Sequence, residues 1–124
     1  MDVATWIVQG ILAAAMLFAG GTKLARHRKD LISMGMPWAE DFSDTAVKLI
    51  GAAEVVGAVG LILPWALGVA PVLTPVAGAA LALLLLGAVV VHVRRKEFAA
   101  VVPPLVLAAA GACVAVVRFV DLAS

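Results

Sequence analysis

The chain has 124 residues, 65% of them hydrophobic and 14% charged, with a formal net charge of +1 and a mean hydropathy of +1.14. An ordinary soluble domain carries about 45–50% apolar and about 25% charged residues, so this composition excludes one and reads as an integral membrane protein. The near-zero net charge gives no footing for nucleic-acid binding, since topology accounts for the basic residues.

Four apolar blocks occur, at about 4–25, 46–64, 72–92 and 102–120. Each approaches the ~20 residues that cross about 30 Å of hydrocarbon at 1.5 Å per residue. They predict an all-α, up-down bundle of four transmembrane helices, a single domain over residues 1–124. The first block lacks a basic leader and runs long before Gly20, Gly21 and Lys23, so it reads as a retained helix and not a signal peptide.

Residues 26–45 form the longest connection, and its stretch "LISMGMPWAEDFSD" mixes Leu31, Met36, Trp38 and Phe42 with Asp30, Glu40, Asp41 and Asp44. This composition suits a connector lying on the cytoplasmic interface, with a lid over a cavity as the alternative. Pro64 and Pro71 are expected to bracket the turn between the second and third spans. Pro75, Pro103 and Pro104 suit first turns of helices, where a missing N–H costs little.

Cations set the expected orientation. Arg26, Arg28, Lys29 and Lys48 lie in or beside the first connection, and Arg94, Arg95 and Lys96 in the third, whereas the second has none. The positive-inside rule then puts both termini outside. Arg118 departs from the pattern and is expected to snorkel outward, with Trp6 and Trp65 marking the outer interface.

Glu54, within "VKLIGAAEVVGAVG", is the one acidic residue inside the second span. A carboxylate at that depth is costly and faces protein or water, and its helical neighbours Gly51, Gly57 and Ala58 permit close helix approach. Side chains lean toward the N-terminus of their own helix, so Lys23 on a descending helix and Glu54 on an ascending one converge. His92, closing the third span, leans the same way as Lys23 and can join them. Lys23, Glu54 and His92 are therefore the candidate ligand or proton site, and an ion pair that only fixes helix packing is the alternative. Lys48 is rotated away from Glu54 and is expected to reach lipid phosphates. Gln9 and Thr74 receive no role.

Other chemistries lack their residues. Cys113 is the single cysteine, so neither an intrachain disulfide nor a CxxC relay can form. His27 and His92 do not make a haem pair or a zinc site, and no metal site is expected. The Gly20-Gly21 pair follows a helical run, which fits close packing and not phosphate binding.

The segments "MLFAGGTKL", "IGAAEVVGAVGLILP" and "GAVVVHVRRKE", followed by a Pro-led fourth helix, resemble the DoxX-like family of small four-helix bacterial membrane proteins. The resemblance spans nearly the whole chain and implies a multi-pass protein of the bacterial cytoplasmic (inner) membrane. In such proteins residues of these types commonly stand where Lys23, Glu54 and His92 stand here. The family takes its name from a subunit associated with a thiosulfate:quinone oxidoreductase, and other relatives are linked to oxidative-stress assemblies. By analogy the chain is a membrane anchor or a quinone pocket, with Glu54 or His92 moving protons.

Three functions are thereby in play. One is a bundle that binds a lipid-soluble molecule, a quinone or isoprenoid, beside Lys23 and Glu54, with no covalent cofactor. Another is an assembly subunit whose small-residue faces, such as Gly78 with Ala82, pack against a second copy or a membrane or peripheral protein partner. The last is a small proton-coupled transporter, which the short chain disfavours without oligomerisation. Membrane lipids are partners under all three.

Overall fold

A computed structural model describes residues 2–124. It contains five α-helices: α1 (Asp2–Ala25), α2 (Arg28–Ser33), α3 (Asp44–Leu67), α4 (Leu73–Arg94) and α5 (Val102–Ala123). Short 3₁₀ turns at Pro37–Asp41 and Phe98–Val101 complete it, and the described residues contain no strand. The four long helices are each long and apolar enough to cross a membrane. They run up and down in chain order and close a ring in which α1 packs on α3, α3 on α4, α4 on α5 and α5 on α1.

Apolar residues cover the outside of this bundle, and several polar residues lie inside it within an apolar core. Val3, Phe18, Val56 and Leu83 stand 70–76% exposed on the outer surface. Gln9, Lys23, Glu54, Thr74 and Arg118 are buried. In water such a surface would be one large sticky patch; in lipid it is the solvated face, and the buried polar groups find partners within the protein.

Small residues let the helices approach to backbone contact. A Cβ added to Gly20 on α1 would lie 2.6 Å from the carbonyl oxygen of Gly51 on α3, and one added to Gly78 on α4 would lie 2.8 Å from that of Gly111 on α5. Where hydrocarbon surrounds the helices, such close packing replaces the missing hydrophobic drive. The Gly78 and Ala82 face that the sequence offered to a second copy or a partner is therefore occupied by α5 of the same chain.

Helix ends follow local chemistry. Ser43 caps α3, its hydroxyl accepting from the Ala46 N–H at 3.1 Å, and Gly68 at φ 66° ends the helix in the left-handed conformation. Pro103 and Pro104 lie in the first turn of α5, and Pro75 in that of α4, as expected. Pro64 differs: it does not open the turn but sits inside α3, which continues to Leu67. Proline has no N–H to give the carbonyl four residues back, that of Gly60. Thr74 Oγ1 on α4 donates to that same Gly60 oxygen at 2.9 Å, so the neighbouring helix supplies the bond the proline removes.

Lys48 also departs from expectation. Its Nζ donates to the carbonyls of Lys23 (2.7 Å), Leu24 (3.0 Å) and Arg26 instead of reaching outward. It is a cation on the carbonyl end of α1, where the helix dipole favours one, and it ties the start of α3 to the end of α1.

Candidate functional site

Gly20 and Gly51 set the geometry of the site. Their contact holds α1 and α3 close enough that Lys23, one turn beyond Gly20, meets Glu54, one turn beyond Gly51. Lys23 Nζ lies 2.7 Å from Glu54 Oε1, and both side chains are under 10% exposed. Lys23 also stands 5.6 Å from the centre of the Trp38 ring, a cation–π contact that further compensates the buried charge.

The pair faces a cavity of about 400 Å³ lined by all four long helices and the first connection. Its polar groups, Lys23, Glu54 and His92, gather toward the end where that connection lies. Met16, Leu85 and Leu107 line its apolar remainder. Its size falls within the ~300–1,000 Å³ of small-molecule sites, as does the mix of apolar walls with a few convergent polar groups.

His92 reaches the same cavity but makes its hydrogen bond elsewhere. Its Nδ1 is 3.0 Å from Glu97 Oε1, and Glu97 Oε2 accepts from Arg95 Nε at 3.3 Å. The His92 hydrogen bond, with that from Arg95, holds the Glu97 carboxyl below the usual carboxylate range. An ionised carboxylate only accepts, so Nδ1 of His92 carries the proton between them. The triad read from the sequence is thus a Lys23–Glu54 pair and a His92–Glu97 pair, with Lys23, Glu54 and His92 all lining one cavity. His92 and Trp38 also line a second, more polar cleft of about 480 Å³ beside Lys96 and Glu97.

Part of the first connection lies over one end of the cavity. Trp38 and Phe42 line the cavity and meet edge to face, ring centres 5.8 Å apart. Arg95 Nη1 donates to Asp41 Oδ2 at 2.8 Å, clasping the connection to the end of α4. Arg28 Nη1 donates to the Phe42 carbonyl at 2.9 Å and fixes its far side.

A second polar cluster, at the end of the bundle that carries both termini, was missed. Arg118 does not snorkel: it is fully buried. Its Nε donates to Gln9 Oε1 at 2.7 Å, and its Nη1 to Asp2 Oδ1 at 2.6 Å and Asp121 Oδ2 at 3.0 Å. Gln9 Nε2 in turn donates to the Leu61 carbonyl at 2.7 Å. The guanidinium lies 4.5 Å from the Trp65 ring centre and 5.5 Å from that of Trp6. Arg118 thus bolts α1, α3 and α5 together. The signal available in the sequence was the coincidence of one arginine with Gln9 and two tryptophans at the same level of the bundle.

No group of three or more histidine, cysteine, aspartate or glutamate side chains able to hold a metal ion occurs among the described residues. Neither a curated protein nor a solved structure matches the chain. The model of the DoxX-like family matches it over residues 7–115, from the first turns of α1 to the middle of α5. With its four membrane-spanning helices, this multi-pass membrane protein belongs to the DoxX-like family.

Proposed function

We propose that the bundle binds a lipid-soluble small molecule, a quinone or isoprenoid, with its polar head against Lys23 and Glu54 and its apolar body along Met16, Leu85 and Leu107. The observation that carries this reading is the cavity itself: about 400 Å³ of mostly apolar space with a buried ion pair in its wall. A pair serving packing alone has no need of such space, and interiors otherwise fill theirs. Within the same proposal the chain resides in the bacterial cytoplasmic membrane with its termini outside. There it serves as the ligand-holding subunit of a quinone-linked redox or oxidative-stress complex.

The test is to purify wild type and Glu54→Gln in lipid nanodiscs, extract the bound molecules, and record thermal stability with and without added quinone or isoprenoid alcohol. A hydrophobic molecule specific to the wild type, lost in a variant that still folds, is the expected result. Absence of any such molecule, with a variant that only melts earlier, would make the pair a packing element and refute the reading.

A further inference from the structure

Gly87 belongs to two surfaces at once. It lines the cavity, yet it is exposed on the outside of α4, and a Cβ added to it would meet nothing within 4 Å. Its angle around the helix says which seam it borders. At about 100° per residue, Gly87 lies about 180° from Gly78, which packs on α5, and about 80° from Ala77, which packs on Gly60 of α3. Gly87 therefore stands on the outer flank of α4 that adjoins α3.

The seam between α3 and α4 changes character along its length. In the half nearer the termini it is tight. A Cβ on Gly57 would lie 2.6 Å from Leu81 Cδ2 and one on Gly60 3.0 Å from Ala77 Cβ, and Thr74 donates to the Gly60 carbonyl. In the other half, Ile50 of α3 and Leu84, Ala88 and Val91 of α4 line the cavity, and all four are partly exposed. Leu84 and Val91 lie one turn to either side of Gly87, so the glycine leaves a notch between two larger side chains. Gly87 is seven residues, about 10 Å, from the end of α4 at Arg94. That places the notch at the depth of acyl chains and not of headgroups.

We propose that the cavity opens sideways into the bilayer through this notch and so takes a lipid-soluble molecule longer than itself. The head and the first part of the chain stay inside, and the rest of the tail passes between Ile50 and Gly87 into the lipid. This rests on the reading of the cavity as a ligand site and adds a property of its ligand, a tail of unrestricted length. A closed pocket of about 400 Å³ rejects long chains, because every further methylene must be forced into filled space. With an open notch the surplus tail remains in hydrocarbon whether the head is bound or free, and its length costs nothing.

The experiment uses the full chain in nanodiscs of synthetic phosphatidylcholine and two probe pairs, each with one head and two tail lengths. One pair is geraniol with solanesol. The other is a benzoquinone bearing a single isoprene unit with its long-tailed polyprenyl homologue. Affinities are taken at equilibrium and referred to probe concentration in the lipid, which removes differences in partitioning. In the wild type the long and short members of each pair bind within about threefold of each other, a difference of well under 1 kcal/mol. Gly87→Trp fills the notch and weakens the long member roughly 10- to 100-fold, the cost of overpacking, while the short member is unchanged. Gly87→Leu does the same to a smaller degree. Neither side chain meets backbone at its Cβ, and both residues form helix better than glycine, so the fold is kept. Gly10→Trp, at an exposed α1 glycine with equally open surroundings that does not line the cavity, leaves both members as in the wild type.

Short probes that bind a wild type from which long ones are excluded overturn the proposal and leave a closed ligand pocket. Gly87→Trp that weakens both members equally, or neither, also overturns it, since the tail then does not leave by the notch. Failure of all four probes to bind the wild type refutes the ligand site and this proposal together.

Discussion

Adjacent glycines on α1 give a paired prediction with opposite outcomes. A Cβ on Gly20 would lie 2.6 Å from the Gly51 carbonyl oxygen, 2.8 Å from Val55 Cγ2 and 3.0 Å from Glu54 Cβ. Its nearest obstacle is backbone, which cannot rotate away, so α1 and α3 must separate by a good part of an ångström. A Cβ on Gly21 meets nothing within 4 Å. Overpacking of this kind costs about 1–3 kcal/mol, against which alanine returns about 0.8–1.0 kcal/mol of helix propensity. Gly20→Ala is therefore destabilising by up to about 2 kcal/mol, and Gly21→Ala is neutral or stabilising by up to about 1 kcal/mol. Separation also lengthens the Lys23–Glu54 contact, so Gly20→Ala weakens ligand retention while Gly21→Ala does not. Unfolding free energies in mixed micelles, with bound ligand measured on the same preparations, read both effects. Equal shifts for the two substitutions would refute the close approach of α1 and α3 as the origin of the site.

Three further outcomes follow from particular contacts. Thr74→Val strands the Gly60 carbonyl and costs about 1–3 kcal/mol in the wild type, but close to nothing in a Pro64→Ala background, where the helix supplies its own N–H. A double-mutant cycle measures this, and additive costs would contradict the assigned exchange. Arg118→Met leaves the buried Gln9 Oε1 without its donor and costs about 1–3 kcal/mol of unfolding free energy. Arg118→Lys does not restore the loss, because a compact ammonium lacks the spread by which the guanidinium reaches Gln9 through Nε and Asp2 and Asp121 through Nη1. The Glu97 carboxyl titrates lower in the folded protein than in the unfolded chain. Its contribution is complete above the ordinary value of 4.5 and is lost as pH falls through the folded value. An acid-side loss of thermal stability that persists unchanged in Glu97→Gln would contradict this assignment.

The apolar blocks carried the fold because membrane helices announce themselves by length and composition. Each observed span agrees with its block to within a few residues. Lys23 and Glu54 were also legible, since the lean of side chains along antiparallel helices and the small residues Gly51 and Ala58 both pointed to their meeting. Contacts set by the rotation of one helix against another were harder to read. Arg118 near the end of a span looks like a snorkelling residue until Gln9, Trp6 and Trp65 are known to surround it. Pro64 reads locally as a break, because the donor that makes it tolerable, Thr74, comes from the next helix. Lys48 was placed by its angle from Glu54, yet its length carries it to the end of α1. His92 finds Glu97 through the tight turn after α4, a local geometry that the helix pattern does not encode.

Filling the cavity tests the central claim most directly. Ala88 lines it from α4, so Ala88→Phe occupies ligand space from a helix that carries neither the Lys23–Glu54 pair nor the Gly20–Gly51 contact. Native mass spectrometry of the wild type and Ala88→Phe released from nanodiscs is predicted to show a stoichiometric hydrophobic adduct on the first and none on the second, at similar folded yield. The same adduct retained by both, or carried by neither, would contradict the account of this bundle as a container for a lipid-soluble ligand.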